Sequence, residues 1–148
     1  METALETTLK FVIASEYPEG RRVQDRILDE LVRRQYDPAA TFAIRIALEE
    51  ALINAIKHGN QFDKSKKVRV RAKISDEQAD ISVEDQGPGF NRASVPDPTA
   101  QENLERLHGR GILLMEAYMD RVQWSRGGRR VRLIRRNTGD SHGIAACS

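Results

Sequence analysis

The chain has 148 residues, a net charge of +2 and a single cysteine, Cys147. This length is typical of one domain with one core, and a lone cysteine excludes an internal disulfide. The net charge is too small to predict direct binding to nucleic acid, and no apolar run approaches the roughly 20 residues that span a bilayer. We therefore expect a cytoplasmic protein that does not bind a membrane.

The first half of the chain predicts one strand and two helices. Thr7–Ala14 has the composition of a strand, and Pro18 opens a helix that runs to about Gln35. Asp37 is a typical N-cap residue, because its side chain accepts a hydrogen bond from the first helical turn. The helix that follows is expected over Pro38–His58 and to end at Gly59, a common C-terminal signal.

The second half predicts two hairpins and a short helix. Apolar residues alternate with polar ones along Val68–Ile74 and Ala79–Val83, as in half-buried strands. Gly87 to His108 contains three prolines and is expected to be a long irregular segment, which in a compact domain is usually functional. The remaining predicted elements are a helix over Gly111–Met119, strands over Arg121–Ser125 and Arg130–Arg135, and a disordered tail from Asn137.

This order of elements predicts an α+β fold with two layers, in which helices cover one face of a mixed, mostly antiparallel sheet. We expect residues 1–136 to form the domain and residues 137–148 a tail. The other face of the sheet must be polar, and Arg69, Arg71 and Lys73 meet that requirement. Basic residues also concentrate from Arg121 to Arg136, which predicts either a solvated strand face or a docking surface for an acidic partner.

Three polar residues interrupt the second helix, which is otherwise apolar around most of its circumference. At about 100° per residue, Glu50, Asn54 and Lys57 fall on one line of that helix. Buried charges are costly unless they are paired or coordinate an ion, so this set suits a divalent cation bound to an anionic ligand. The alternative for Glu50 is a salt bridge with Lys57 or Arg45. His58 is interpreted as a helix C-terminal residue rather than a catalytic group.

Two glycine motifs follow in the sequence. Asp85 ends a strand and begins Asp-x-Gly-x-Gly, where glycines let the backbone approach a ligand and the carboxylate can accept a hydrogen bond from an exocyclic amine such as that of adenine. Gly109 and Gly111 lie at a helix start, where backbone N–H groups attract phosphate. An ordinary turn and a tightly packed helix start are the respective alternatives.

In this order the three motifs resemble the N, G1 and G2 boxes of the superfamily of gyrase, heat-shock chaperone, histidine kinase and mismatch-repair ATPases, which has the Bergerat nucleotide-binding fold. Within that superfamily, the sequence is most similar to the small bacterial anti-sigma factor serine kinases. Ala51–Asn60 resembles their N box, and Gly109–Met115 followed by Met119-Asp120 resembles their G2 region.

The resemblance implies that ATP and Mg²⁺ are the cofactors. It assigns the Mg²⁺ ligand to Asn54, and to Glu50 the role of orienting or deprotonating the attacking seryl hydroxyl. Lys57 would neutralise phosphate charge. Asp85 would contact the adenine amine, and Gly87 and Gly89 would shape the wall of the adenine pocket around it. The residues implied to close on the phosphates are Gly109, Arg110 and Gly111.

The implied function is that of an ATP-dependent serine/threonine protein kinase acting as an anti-sigma factor. Such a protein binds a sigma factor, phosphorylates a serine or threonine of an anti-sigma antagonist, and forms a homodimer. Two alternatives remain: a nucleotide-dependent binding module without kinase activity, and a detached histidine kinase catalytic domain. Related kinases commonly carry a threonine after the glycine of the last hairpin, whereas Arg129 and Arg130 follow Gly128 here. This departure leaves the adenine contacts open.

Overall fold

The computed structural model describes residues 5–89 and 109–138. It contains every strand and helix predicted above, with bounds that differ by a few residues. Most of the segment predicted to be irregular between Gly87 and His108 lies outside the described residues. The elements, in chain order, are β1 (Glu6–Ala14), α1 (Tyr17–Arg33), α2 (Pro38–Ile53), β2 (Lys67–Ser75), β3 (Gln78–Glu84), α3 (Gly109–Tyr118), β4 (Arg121–Ser125) and β5 (Arg130–Arg136).

The five described strands form one sheet in the order β1-β2-β3-β5-β4. All four pairings are antiparallel, so the described sheet is antiparallel rather than mixed. Buried and exposed residues alternate along β2 and β3, as they must when one face of a sheet is covered and the other faces water. The predicted two-layer α+β architecture is confirmed.

Helix α2 lies at the centre of the helical layer and packs against α1, α3 and β5. Its apolar circumference fits this position, because a helix with neighbours on several sides must bury most of its surface. None of the described helices is long and apolar enough to cross a membrane. The largest fully buried side chains of the core include Ile27, Leu31, Ile44, Leu48, Ile56, Ile74, Ile81, Ile112, Met115 and Leu133.

The C-terminal end of the domain is fixed near the start of α2. The Asp37 carboxylate accepts a hydrogen bond from the Ala39 N–H at 2.9 Å, as the predicted N-cap requires. The Asn137 side chain accepts from the Asp37 N–H at 2.7 Å and donates to the Asp76 carbonyl at 2.9 Å. Asn137, the first residue of the predicted tail, thus belongs to the folded domain. Residues 139–148 lie outside the described residues.

The end of α2 differs from the prediction of one continuous α-helix to His58. The α-helix ends at Ile53, and Asn54–Gly59 is wound as a π-helix. The Asn60 N–H donates to the Ala55 carbonyl, five residues earlier, at 2.8 Å. Short π-helical segments are rare and often occur at functional sites, so this segment is a natural place to look for one.

Candidate functional site

The start of α3 packs against the polar line on α2. A Cβ atom added to Gly111 would lie 2.8 Å from Oε1 of Glu50 and 3.8 Å from both side-chain atoms Oδ1 and Nδ2 of Asn54. Glycine lets the α3 backbone approach these two side chains closely, and a larger residue here would require the Glu50 carboxylate to shift. The structure therefore brings together Glu50, Asn54 and Gly111, as the order of the motifs predicts.

The Asn54 side chain has an unsatisfied polar atom. Its Nδ2 is buried and has no hydrogen-bond partner within the described residues. Buried amides are almost always hydrogen-bonded, and the oxygen and nitrogen of an asparagine can exchange places by rotation of the amide group. This amide can therefore bind a ligand that enters the site, and its oxygen is of the type that Mg²⁺ prefers.

The Glu50 carboxylate is half-buried beside Gly111. Burial, and then the neighbouring charge of Glu49, raise the pKa of this carboxyl above its ordinary value. Neither Lys57 nor Arg45 forms an ion pair with it in the described part of the chain, so the structure does not support the salt-bridge alternative. A carboxylate with a raised pKa and no ion-pair partner is suited to accept a proton.

The turn after β3 packs on the end of the π-helical segment. A Cβ on Gly59 would overlap the Asp85 carboxylate, and a Cβ on Gly87 would overlap the Gly59 carbonyl oxygen. Asp85 accepts a hydrogen bond from the Gly87 N–H at 2.8 Å. Burial raises the pKa of Asp85, whereas that hydrogen bond and the charge of Arg129 oppose the rise. Gly89 has a φ of +81°, a conformation that favours glycine.

Asn60 holds this turn against the helix and β2, a role that sequence reasoning missed. Its fully buried amide donates to Oγ of Ser15 at 2.9 Å and to the Lys67 carbonyl at 3.0 Å. Its Oδ1 accepts from the Gln86 N–H at 2.8 Å. A Gly-Asn pair after a helix is so common a helix end that nothing in the sequence marks Asn60 as a link between three elements.

Arg129 stands where related kinases commonly carry a threonine, and it supports the same turn from the other side. Its Nε donates to the Gly87 carbonyl at 2.7 Å, and its Nη2 lies 3.4 Å from the Pro88 carbonyl oxygen. The Asp85 N–H donates to the Arg129 carbonyl at 2.9 Å. The departure from the family pattern thus leaves the Asp85 turn in place and gives it an additional support.

The π-helical winding separates Lys57 from Asn54. A π-helix has more residues per turn than an α-helix, because its hydrogen bonds join residues five positions apart. The residues on the same face as Asn54, one turn later, are therefore His58 and Gly59 rather than Lys57. Lys57 is exposed and is not among the residues that line the cavity, whereas His58 is. Burial, and then the charge of Lys57, lower the pKa of His58, which favours the uncharged imidazole.

Asn54 and Asp85 line a cavity of about 80 Å³ between the π-helical segment, the Asp85 turn and the last hairpin, whereas Glu50 and Gly111 are not among its lining residues. A far larger cavity of about 930 Å³ lies between α1 and α2, but it contains none of the predicted site residues. Gly109 and Arg110 form the first turn of α3. The residues that line the smaller cavity include Asn54, His58, Asp85, Gly89, Trp124 and Arg129.

The fold and the convergence of the three motifs define a class, the two-layer α+β nucleotide-binding ATPase domains. The sequence profile of the histidine kinase-like ATPase domain matches residues 14–135, and the chain belongs to that family. The resemblance inferred from the three motifs is thereby confirmed. Nucleotide binding is a property of this family of domains.

Relatives with assigned roles are similar over about half of the chain. An anti-sigma F factor of Clostridium perfringens is 40% identical over 83 residues, which cover 54% of this chain and 59% of the relative. The serine-protein kinase RsbW of Bacillus subtilis is 29% identical over 86 residues, 54% of each chain. The chain thus matches little more than half the length of these relatives.

A solved structure supports the fold. The crystal structure of the RsbU and RsbW domains of a Mycobacterium tuberculosis protein aligns with a TM-score of 0.62 at 18% identity, covering 88% of this chain and 32% of that one.

Proposed function

We propose that the protein is an ATP-dependent serine/threonine protein kinase that acts as an anti-sigma factor. One observation carries the proposal: Gly111 places Glu50 and Asn54 side by side at the start of α3, in a chain of the histidine kinase-like ATPase family. The proposed base and the proposed metal ligand would then lie beside the helix N-terminus that attracts phosphate. The similarity to anti-sigma F factors and to serine-protein kinase RsbW supports the choice of substrate class.

Glu50 would be the catalytic base. In the transfer step the seryl oxygen forms a bond to the γ-phosphorus of ATP while the bond to the β–γ bridging oxygen breaks, and ADP leaves. The hydroxyl proton passes to the Glu50 carboxylate. The raised pKa of that carboxyl strengthens it as a base, and a base tuned toward the working pH is more effective in general base catalysis.

The remaining groups would position the nucleotide. Asn54 is the proposed Mg²⁺ ligand, and the ion would neutralise charge on the phosphates. Asp85 would accept a hydrogen bond from the adenine amine, on a wall completed by Gly87 and Gly89. Positioning and charge neutralisation account for most of the catalysis of phosphoryl transfer, so few groups are needed. The proposed phosphate-binding residues are Gly109, Arg110 and Gly111, whereas Lys57, which is exposed and outside the cavity lining, would add only a weak, salt-screened attraction.

The proposed partners are a sigma factor and an anti-sigma antagonist, with the kinase acting in the cytoplasm as a homodimer. Phosphorylation adds close to two negative charges to the antagonist, which would release it and leave the kinase free to hold the sigma factor. This exchange is proposed because similar proteins are named anti-sigma F factors.

The deciding experiment incubates the protein with labelled ATP, Mg²⁺ and antagonist proteins copurified from the native cell. We expect acid-stable label on a serine or threonine of an antagonist, lost in Glu50→Ala. Glu50→Ala should retain ATP, whereas Asn54→Ala should lose the Mg²⁺-dependent part of ATP binding. Equal loss of ATP affinity in both variants would contradict this division of roles.

Two results would select an alternative function. Bound ATP without label on any copurified protein would indicate a nucleotide-dependent binding module. Acid-labile label, the property of phosphohistidine, would indicate a detached histidine kinase catalytic domain. Either result would overturn the serine/threonine kinase proposal.

A further inference from the structure

The outer face of the sheet, opposite the helices, carries a row of cations on neighbouring strands. Lys10 of β1 lies directly opposite Arg71 of β2. Arg71 lies opposite Ser82 of β3, and Ser82 lies opposite Arg132 of β5. The row therefore contains three cations and no anion across four strands that are about 4.8 Å apart.

The rows on either side add further cations. Arg69 and Arg130 flank Glu84, and Lys73 lies opposite Asp80. We call Lys10, Arg69, Arg71, Lys73, Arg130 and Arg132 the basic face.

The two carboxylates of this region are bound to arginines. Both oxygens of Asp80 accept hydrogen bonds from the Arg132 guanidinium, at 2.9 and 2.6 Å. Glu84 lies 3.5 Å from Nε of Arg126, which is outside the basic face. In the described part of the chain, no ion pair involves Lys10, Arg69, Arg71, Lys73 or Arg130. The basic face is therefore left with excess positive charge.

Folding does not explain this arrangement. Like charges directly opposite each other on neighbouring strands destabilise a sheet, and Lys10 and Arg71 are such a pair. A solvated sheet face would be served as well by a mixture of charges, as on α1, where Arg22 pairs with Glu19. Arg71, Lys73, Arg130 and Arg132 also line a shallow depression of about 250 Å³ together with Asp80 and Ser82.

We propose that the basic face is a docking surface for an acidic protein segment, an α-helix that lies across the strands. Side chains three and four residues apart on a helix face are about 5–6 Å apart, close to the spacing between strands. Glutamate or aspartate side chains repeated at that interval would each meet a cation on a successive strand. This role goes beyond nucleotide binding and phosphoryl transfer and does not depend on them.

A nucleic acid fits the same face less well. Proteins that bind single strands combine basic grooves with aromatic side chains on which bases stack. The outward-facing residues of the five described strands include no aromatic side chain. On this face the described strands also offer no protruding helix or ribbon that could enter a groove of a double helix. Charge is thus the main feature that the basic face offers, and it fits carboxylates spaced along a helix.

The test measures binding of a fluorescent 20-residue helical peptide, with glutamate at every third or fourth position, to the full chain by anisotropy. We expect binding that weakens with salt, since the contacts are exposed. The triple variant Lys10→Gln, Arg71→Gln, Arg130→Gln should weaken it about tenfold or more, by losing three ion pairs. The matched control carries the same charge change away from the sheet face, as Arg21→Gln, Arg22→Gln, Lys64→Gln, and should change the affinity less than about threefold.

Three outcomes would overturn the proposal: no loss of binding in the triple variant, an equal loss in the control, or equally tight binding of a peptide with glutamine in place of glutamate. A fourth is a single-stranded 20-nucleotide DNA that binds more tightly than the peptide and loses affinity in the triple variant. The triple variant should keep its ATP affinity, and its unfolding temperature should not fall, because it also removes the repulsion between Lys10 and Arg71. These two measurements separate failure of this proposal from failure of the kinase proposal.

Discussion

The wall of the site that follows β3 is held by hydrogen bonds, whereas the wall on α2 leaves its polar side chains unpaired. Asp85 accepts from the Gly87 N–H, Asn60 binds the Gln86 N–H, and Arg129 binds the Gly87 carbonyl. In contrast, the buried Nδ2 of Asn54 has no hydrogen-bond partner within the described residues, and the Glu50 carboxylate has no ion-pair partner there.

This difference assigns different tasks to the two walls. A turn whose polar groups are satisfied within the protein keeps its geometry without a ligand, as recognition of a flat base requires. Polar groups left unsatisfied reduce the stability of the free protein and gain partners only when charged phosphates and a cation arrive. The α2 wall should therefore govern transfer, and the Asp85 wall should govern affinity for the base.

The largest effect should come from Glu50→Gln. Loss of a general base lowers the rate of transfer by about 10²–10⁴-fold, while ATP affinity should remain nearly unchanged. Stability should rise, because a carboxyl whose pKa is raised by burial contributes stability at low pH that is lost as pH rises through the folded pKa. At pH 7 glutamine removes the cost of burying the charge, so calorimetry should show a higher unfolding temperature. A lower unfolding temperature would show that Glu50 stabilises the fold.

Asp85→Asn tests the opposite wall. A hydrogen bond to a charged group is worth about 1.5–3 kcal/mol, so ATP affinity should fall about 10- to 100-fold. The rate of transfer at saturating ATP should change much less, because the α2 wall is intact. Titration calorimetry and saturation kinetics separate the two effects. A fall in the saturated rate with unchanged affinity would contradict the assignment of Asp85 to the base.

Asn60→Ala tests whether the link between the walls is functional. Removing a buried amide leaves partners unsatisfied and costs about 1–3 kcal/mol of stability, and the displaced Asp85 turn should weaken ATP binding about tenfold. Asn137→Ala is the matched control, because Asn137 also joins separate segments through its amide but lies near the start of α2. It should lower stability and leave ATP affinity unchanged. If both variants alter ATP affinity equally, Asn60 has only a structural role.

The fold and the order of the motifs were accessible from the sequence because they depend on local patterns. The alternation of apolar and polar residues predicted β2 and β3. The predicted Asp37 N-cap and the buried, apolar α2 were also confirmed. The three motifs predicted which segments would converge, and the contact of Gly111 with Glu50 and Asn54 agrees.

Other features depend on contacts between distant residues, which periodicity does not report. The π-helical end of α2 forms where Gly59 meets the Asp85 turn, and Asn60 bonds to residues 45 positions before it and 26 after it. Lys57 was predicted to share a face with Glu50 and Asn54 because α-helical geometry was assumed. The π-helical winding of Asn54–Gly59 moves Lys57 off that face. The role of Arg129 depends on the meeting of the last hairpin with the same turn.

The acid side of the pH profile gives a smaller, graded effect. In the proposed mechanism transfer requires ionised Glu50, so the rate should fall as the pH drops through the pKa of this carboxyl, which burial raises above its ordinary value. Below that pKa the rate should fall about tenfold per pH unit. ATP affinity should fall in a separate step set by Asp85, whose pKa is also raised. Rate measurements at saturating ATP from pH 8 to pH 4 would isolate the first step, and a flat profile over that range would contradict a base at Glu50.

The smallest effect should come from Lys57→Ala. This variant tests whether Lys57 shares a face with Glu50 and Asn54, as an α-helix would place it, or lies away from them, as in the π-helical segment. Lys57 is exposed and outside the cavity lining, and contacts of an exposed charge are screened by salt. We expect ATP affinity to fall less than about threefold at physiological salt, and His58→Ala, which alters the cavity itself, to have the larger effect. A tenfold loss in Lys57→Ala would mean that the segment rewinds to an α-helix when nucleotide binds, because only that winding returns Lys57 to the line of Glu50 and Asn54.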